Sequence, residues 1–424
     1  MDMVQWNILL ISFLLAFLAC SVFRWALTRI NMRHLRRHGH EVPHVFRGEI
    51  NETTLTKMTD YTVESSRFAS IEHVFDDVIT LVILLSGFLP LVVGVILSWN
   101  LHFILSGLIF FGILALMSGI LNLPFSLYNT FVIEKKYGFT TITLSLWITD
   151  LIKSLFISTI IMGILLGAFL TLLYNAKTTW WLWVWLFFSA FQLLLVWVYP
   201  VLIAPLFNKF EPVKDETLTE AILGLVAKAG LKTEGVYQID AGTRSRHTNA
   251  YFTGLGKTKR IVLYDTLLSS HTPDEILSVL AHEIGHWKKR HILQQLVFTE
   301  IASLAALYLV YRLVEWPLLY HTFGFEQTLP YVGLLLLAAL LSPLAFFLTP
   351  VGSVIMRKFE READDYSFDM VGAAIPLANA LKRLAKDNLA NLHPHPFYAW
   401  FYYSHPPLTE RIDYLQQKET ARRS

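Results

Sequence analysis

The chain has 424 residues, 54% of them hydrophobic and only 16% charged, and its mean hydropathy is +0.47. An ordinary soluble domain carries about 25% charged residues, so this composition excludes one and points to membrane spans. Lys and Arg (35) nearly balance Asp and Glu (33), and no nucleic-acid signature accompanies the resulting net charge of +2.

Seven apolar stretches lie at approximately 6–26, 78–98, 102–123, 151–174, 180–205, 292–314 and 329–350. Each is near the ~20 residues that cross a hydrocarbon core. The first lacks a basic leader and runs straight into Arg24, Arg29 and Arg33, so it reads as a retained span and not as a cleaved signal. Cys20, the one cysteine, sits inside it and reads as a small buried apolar residue. Trp99, Trp180, Trp181, Trp183 and Trp316 fall near span ends, as an aromatic belt would. The segment from Arg24 to Arg67 is rich in Arg, and Lys135 and Lys136 follow the third span. The segments Trp99 to His102 and Trp316 to Pro330 hold no Lys or Arg. Basic loops face the cytoplasm, which puts the N-terminus outside or in a lumen and the C-terminus inside. Asn122, Gln192, Gln295 and Glu300 lie within spans, where polar groups are expected to face an interior or another helix.

Four segments follow: a membrane region 1–207 with five spans, a catalytic segment 208–291, two further spans in 292–350, and a C-terminal catalytic segment 351–424. In the second segment, Asp215 to Lys228 reads as an amphipathic helix stopping near Gly230. Val236–Ile239, Asn249–Thr253 and Arg260–Tyr264 read as strands, with a turn at 254–257 between the last two. Thr272-Pro273-Asp274-Glu275 then reads as a capping box opening a helix. About two turns on comes H-E-x-x-H: His282, Glu283 and His286. Positions i and i+4 share a helix face, so both imidazoles reach one Zn2+, and Glu283 can reach a water beside it. Such a site needs a third protein ligand and an open position. Downstream, Glu360 and Asp364 share a face while Glu362 turns away. Glu360 is the candidate third ligand, and Asp364 can hold a ligating imidazole in one tautomer.

Glu360-x-x-Ala363-Asp364 after H-E-x-x-H, then Tyr403-Ser404-His405-Pro406-Pro407-Leu408-Thr409-Glu410-Arg411, resembles the type I CAAX prenyl endopeptidases. Asn249-Ala250-Tyr251-Phe252 and the stretch from Lys259 to Leu267 add to the resemblance, which is close from about Thr248 to Ile412 and looser in the first spans. It implies an α-helical multi-spanning membrane protein, about seven helices around a water-filled chamber, with a small α+β zincin-like catalytic part. It implies a zinc metalloendopeptidase that removes the last three residues of prenylated CAAX proteins, with His405 over the active site as oxyanion donor. Asn249 and Ala250 would lie at the strand edge where substrate adds, and Arg411 would orient the site or bind substrate backbone. The expected partners are a peptide or protein lipidated near its C-terminus and the bilayer, in a bacterial inner membrane or the endoplasmic reticulum. Two alternatives share parts of the pattern: a quality-control protease like the shorter bacterial heat-shock branch, and a transporter or scaffold with a structural zinc site. The latter would require four protein ligands and leaves Glu283 without a purpose.

Overall fold

The structure is a computed structural model that describes residues 4–253 and 260–424, and the turn expected at 254–257 lies outside them. Helix α1 (Ile8–His38) begins at Asn7, whose side chain accepts from Leu10 N, and runs well past the apolar stretch before ending at Gly39. Helix α2 (Glu52–Leu85) is capped by Asn51, and α3 (Phe88–Ser98) follows it at a 56° bend. The span expected as one helix over 78–98 is therefore broken. Ser86 and Gly87 end α2, and Gly87 sits at φ +79, a left-handed backbone that glycine adopts without penalty. Helix α4 (Phe103–Tyr128) continues through a π-helical turn, 129–134, to Tyr137. Helices α5 (Leu144–Asn175) and α6 (Trp180–Val198) complete the first group of spans.

Among the described residues six helices are long and apolar enough to cross a membrane, and the bent α2–α3 pair makes a seventh. Their apolar windows are buried by protein to between 0% and 33%, so most of the span surface is left for lipid or an internal cavity. The in-span Glu300 answers to a neighbouring helix: its carboxylate accepts from Ser189 Oγ, and its carbonyl accepts from Trp185 Nε1.

The catalytic part begins at strand β1 (Phe210–Pro212), a short element with no sequence signal. Helix α7 (Glu216–Lys228) is capped by Asp215, and the chain turns at Gly230, φ +65. Strands β2 (Gly235–Ile239), β3 (Ala250–Thr253) and β4 (Arg260–Tyr264) complete a four-stranded sheet in the order β1-β2-β4-β3. β2 and β4 are parallel and the outer pairs antiparallel, so β3 is an edge strand bonded on one side only, to β4. Helix α8 (Pro273–Lys288) starts with the expected box: Glu275 N donates to Thr272 Oγ1 and Thr272 N to Glu275 Oε2.

Helix α9 (His291–Leu313) and α10 (Pro330–Phe347) are the last two spans. The chain then re-enters the catalytic part through α11 (Thr349–Val371), α12 (Ile375–Asp387), α13 (Pro396–Tyr402) and α14 (Leu408–Arg423). Two large apolar cores result, beside a small cluster around Val262. One joins the sheet to α8, α12 and α14 around Ile261, Leu263, Leu280, Ile284 and Ile412. The other ties the spans together at the far end, around Phe110, Tyr320 and Tyr331.

Candidate active site

Helices α8 and α11 pack face to face at the bottom of the catalytic part. Gly285, the fourth residue of H-E-x-x-H, permits the contact: a Cβ there would lie 3.0 Å from Ala363 Cα and 3.2 Å from its carbonyl oxygen. Ser367 Oγ donates to Ser278 O at 2.8 Å and fixes the register of the pair. Residues 78 positions apart are thereby set opposite each other. His282 Nε2 lies 3.4 Å from Glu360 Oε2, His286 Nε2 3.3 Å from Glu360 Oε1, and the two imidazole Nε2 atoms 3.3 Å from each other.

Nitrogens and oxygens held ~2.0–2.1 Å from a tetrahedral Zn2+ stand about 3.3–3.4 Å apart, so these three separations are those of a zinc ligand set. Glu360 is almost wholly buried, and its Oε2 has no hydrogen-bond donor. A buried carboxylate oxygen without a hydrogen bond is costly unless cations answer it; Arg411, 3.3 Å away, is one, and a metal ion between the three ligands would be a second. His282, His286 and Glu360 are the one group of at least three acidic, histidine or cysteine side chains, among the described residues, placed to hold a metal ion.

The surroundings are charged and largely buried. Asp364 Oδ1 lies 2.8 Å from His282 Nδ1, a close ionic contact off the line of a well-formed hydrogen bond. Arg411, also buried, donates from Nε and a terminal nitrogen to the two Asp364 oxygens (2.9 and 2.6 Å) and reaches Glu360 Oε2 at 3.3 Å. Burial opposes charge on all of them, but the neighbours prevail. Arg411 and His282 hold the Asp364 carboxyl at about 2, and Glu360 is driven far below the usual carboxylate range by His282 and His286. Against the same desolvation, Asp364 and Glu360 push His282 up to about 9. Glu283 is different: burial, with Glu360 adding to it, raises its carboxyl above the ordinary value.

His405 comes to the same place from the loop before α14. Its Nε2 lies 3.2 Å from Glu360 Oε1, and Ser404 Oγ is 2.9 Å from its Nδ1. The side chain keeps 58% of its surface open to the cleft, yet enough protein surrounds it that desolvation holds the imidazole below its usual value. Ala250 opens the edge strand β3 and Asn249 immediately precedes it, its Oδ1 accepting from Ala250 N.

Two contributors carry no motif signal. His291 opens α9 after Arg290, whose backbone is left-handed (φ +57). In a straight helix a residue five places on would lie about 140° around the axis from His286, given 3.6 residues per turn. The break at Arg290 turns it back. His291 Nδ1 lies 3.1 Å from His286 Nδ1, its Nε2 lies 3.0 Å from Glu362 Oε2, and its ring stacks on Phe359 at 4.2 Å. Glu362, turned away from the ligands, thus supports one of them at one remove. A histidine beside H-E-x-x-H was visible in the sequence, but its helix break was not.

A multi-span bundle with a buried His, His, Glu cluster and an adjacent carboxylic acid defines a membrane-embedded metallopeptidase. Comparison with known proteins agrees with this class. Residues 31–209 match the CAAX prenyl protease N-terminal region of five membrane helices, and residues 212–419 match peptidase family M48. CAAX prenyl protease 1 of Saccharomyces cerevisiae is 34% identical over 408 residues, covering 89% of this chain and 90% of that one. The Caenorhabditis elegans homolog is 30% identical and covers 93% and 96%. The crystal structure of S. mikatae Ste24p superposes with a TM-score of 0.90 at 32% identity, over 97% of this chain and all of that one. The chain belongs to the CAAX prenyl protease 1 family, within peptidase family M48.

Proposed function

We propose that this protein is a zinc endopeptidase of an internal membrane that releases the C-terminal three residues of prenylated CAAX proteins. The observation that carries the chemistry is the triangle of 3.3 to 3.4 Å separations among His282, His286 and Glu360. The name its relatives share, CAAX prenyl protease 1, supports the substrate class. His282 Nε2, His286 Nε2 and Glu360 would hold one Zn2+, which when bound polarises a carbonyl and lowers the pKa of a water to ~7.

The chain's own residues do the rest. Glu283 accepts the proton of the attacking water and returns it to the leaving amine. Its raised affinity for a proton suits both transfers. His405 stays neutral, and with Ser404 Oγ donating to its Nδ1 the proton sits on Nε2, beside the ligand Glu360 at 3.2 Å, from where it would be donated to the developing oxyanion. Asp364 and Arg411 are buried against Glu360 and His282, which suits them to orienting ligands; their burial supports an orienting role for Arg411 over substrate contact. His286 would hold the metal through Nε2 while its Nδ1 donates to His291, which donates in turn to Glu362. The free side of β3 takes the substrate as an added strand, with Asn249 and Ala250 at its start. Basic loops favour the catalytic part and C-terminus on the cytoplasmic side of the endoplasmic reticulum.

The test compares a farnesylated CAAX peptide with its unlipidated form, using wild type and Glu283→Gln, with and without a chelator. Wild type should release the tripeptide from the farnesylated peptide only when metal is present. Glu283→Gln should retain one Zn2+ and lose about 10²–10⁴-fold in turnover. Equal cutting of both peptides would overturn the lipid specificity, and full activity in Glu283→Gln would overturn the mechanism.

A further inference from the structure

Where α1 and α2 leave the apolar band, the two helices enclose a cavity of about 460 Å³ lined by Trp25, Arg29, Arg33, Arg36, Arg67 and Ser70. Their alignment is fixed just inside it, where Asp77 of α2 accepts from Ser21 Oγ (2.7 Å) and meets Arg24 (3.7 Å). On α1 the residues at 25, 29, 33 and 36 recur at helical spacing, so three guanidinium groups stand on one face of one helix. Like charges at such spacing repel one another. Arg67 adds a fourth from the opposite helix. None of the four has a carboxylate partner among the described residues. Glu64, the acid that senses Arg67, is already engaged by Lys136 and the Tyr137 hydroxyl. Arg24, one turn away, does have its carboxylate, so the neighbouring four stand apart from it.

The two faces that carry the cations continue into the membrane as exposed apolar stripes. On α1 the stripe runs through Val22, Leu18 and Leu15, and on α2 through Ile71, Val74, Val78 and Val82, all at least half exposed. A basic pocket at the head of a long apolar seam matches an amphiphile with an anionic head. It does not match a free anion, which has no use for the seam. We infer that this pocket binds the phosphate-bearing headgroup of an anionic glycerophospholipid, whose acyl chains lie along the α1–α2 seam. Guanidinium groups suit phosphate because their planar fork donates two parallel hydrogen bonds. Trp25, with Arg29 5.1 Å over its ring, sits at the level of the glycerol, where amphipathic aromatic rings settle. The inference uses no catalytic residue and stands apart from the peptidase chemistry.

The test uses the full chain in nanodiscs of phosphatidylcholine with and without 10% anionic phospholipid, and counts lipids retained on release by native mass spectrometry. Wild type should keep an anionic lipid in preference to phosphatidylcholine. Joint substitution of Arg29, Arg33, Arg36 and Arg67 by Gln should reduce that retention by about tenfold or more, since each cation near an anionic surface adds to the attraction. The pair Arg33→Gln and Arg36→Gln, both exposed, gives the same reading if the quadruple variant does not fold. A control with Lys57, Lys177, Lys214 and Lys232 changed to Gln should retain lipid as wild type does. Unchanged retention in the arginine variants, equal loss in the lysine control, or displacement of the lipid by millimolar inorganic phosphate would each overturn the assignment.

Discussion

The spans and the catalytic part solve opposite problems. The long spans bury little of their apolar surface in protein, and their interior contacts are mainly aromatic and aliphatic. Glu300 with Ser189, Asp77 with Ser21 and Arg24, and Asn7 with Thr322 are among the polar ties that hold helices together there. The catalytic part instead places His282, Glu360, Asp364 and Arg411 in its interior, each less than a tenth exposed. Lipid supplies the solvent that the spans require, so their packing can stay loose. The site has no such help: every buried charge has to be answered by another at a set distance. Fold and chemistry should accordingly fail under different perturbations.

The sharpest break in that contrast should come from Arg411→Met. It would leave Asp364 and Glu360 without their buried cation and cost about 3–5 kcal/mol, measured by chemical denaturation of the purified protein. Gly285→Ala should act on geometry alone, prising α8 from α11, and is expected to lower zinc affinity with the spans intact, as read by chelator competition and by helical content.

A milder loss is expected at His291. Replacing it by Phe keeps the ring on Phe359 but removes the acceptor for His286, and should lower zinc affinity about 10–100-fold. His291→Asn, which presents an amide oxygen near the position of Nδ1, should recover part of it. If Phe and Asn behave alike, the residue only fills space. In the spans, Ser189→Ala should cost no more than about 0.6–1.7 kcal/mol and leave zinc affinity unchanged. The same substitution would abolish the contrast between the two regions if it disturbed the site.

The smallest effect is a pH dependence where the two regions meet. His247 stacks on Phe139, and its ring nitrogens contact Glu134 at the end of the α4 span and Asn388 of the C-terminal part. Glu134 raises its pKa above the ordinary ~6.5 despite partial burial. The contact therefore stabilises the folded form fully below pH ~6.5 and is lost as pH rises through the folded value. Melting of wild type and His247→Gln should differ at pH 6 and converge toward pH 8.5.

Much of the outline was legible locally. Span positions follow from runs of apolar residues, since the bilayer imposes a length on any segment that crosses it. The capping box at Thr272 and Glu275 formed as its spacing requires, because a cap is satisfied within one turn. H-E-x-x-H placed two imidazoles on one face for the same reason. The bend at Gly87 escaped, because hydropathy reports how greasy a segment is and not whether its helix is straight. Strand β1 escaped as well: three residues with a proline carry no period, and only pairing with β2 makes them a strand.

What the sequence determined by itself was therefore what an apolar run, a repeat or a cap sets: the membrane spans, a strand just after Asn249, and a helix with two histidines on one face. Tertiary structure decided the rest. It brought Glu360 to within 3.4 Å of His282, set His405 beside it, and folded His291 back on His286 through the left-handed Arg290. It also closed Arg411 over Asp364. These pairings join residues far apart in the chain, or on the two sides of a helix break. Their distances depend on how whole helices pack, which no local pattern encodes.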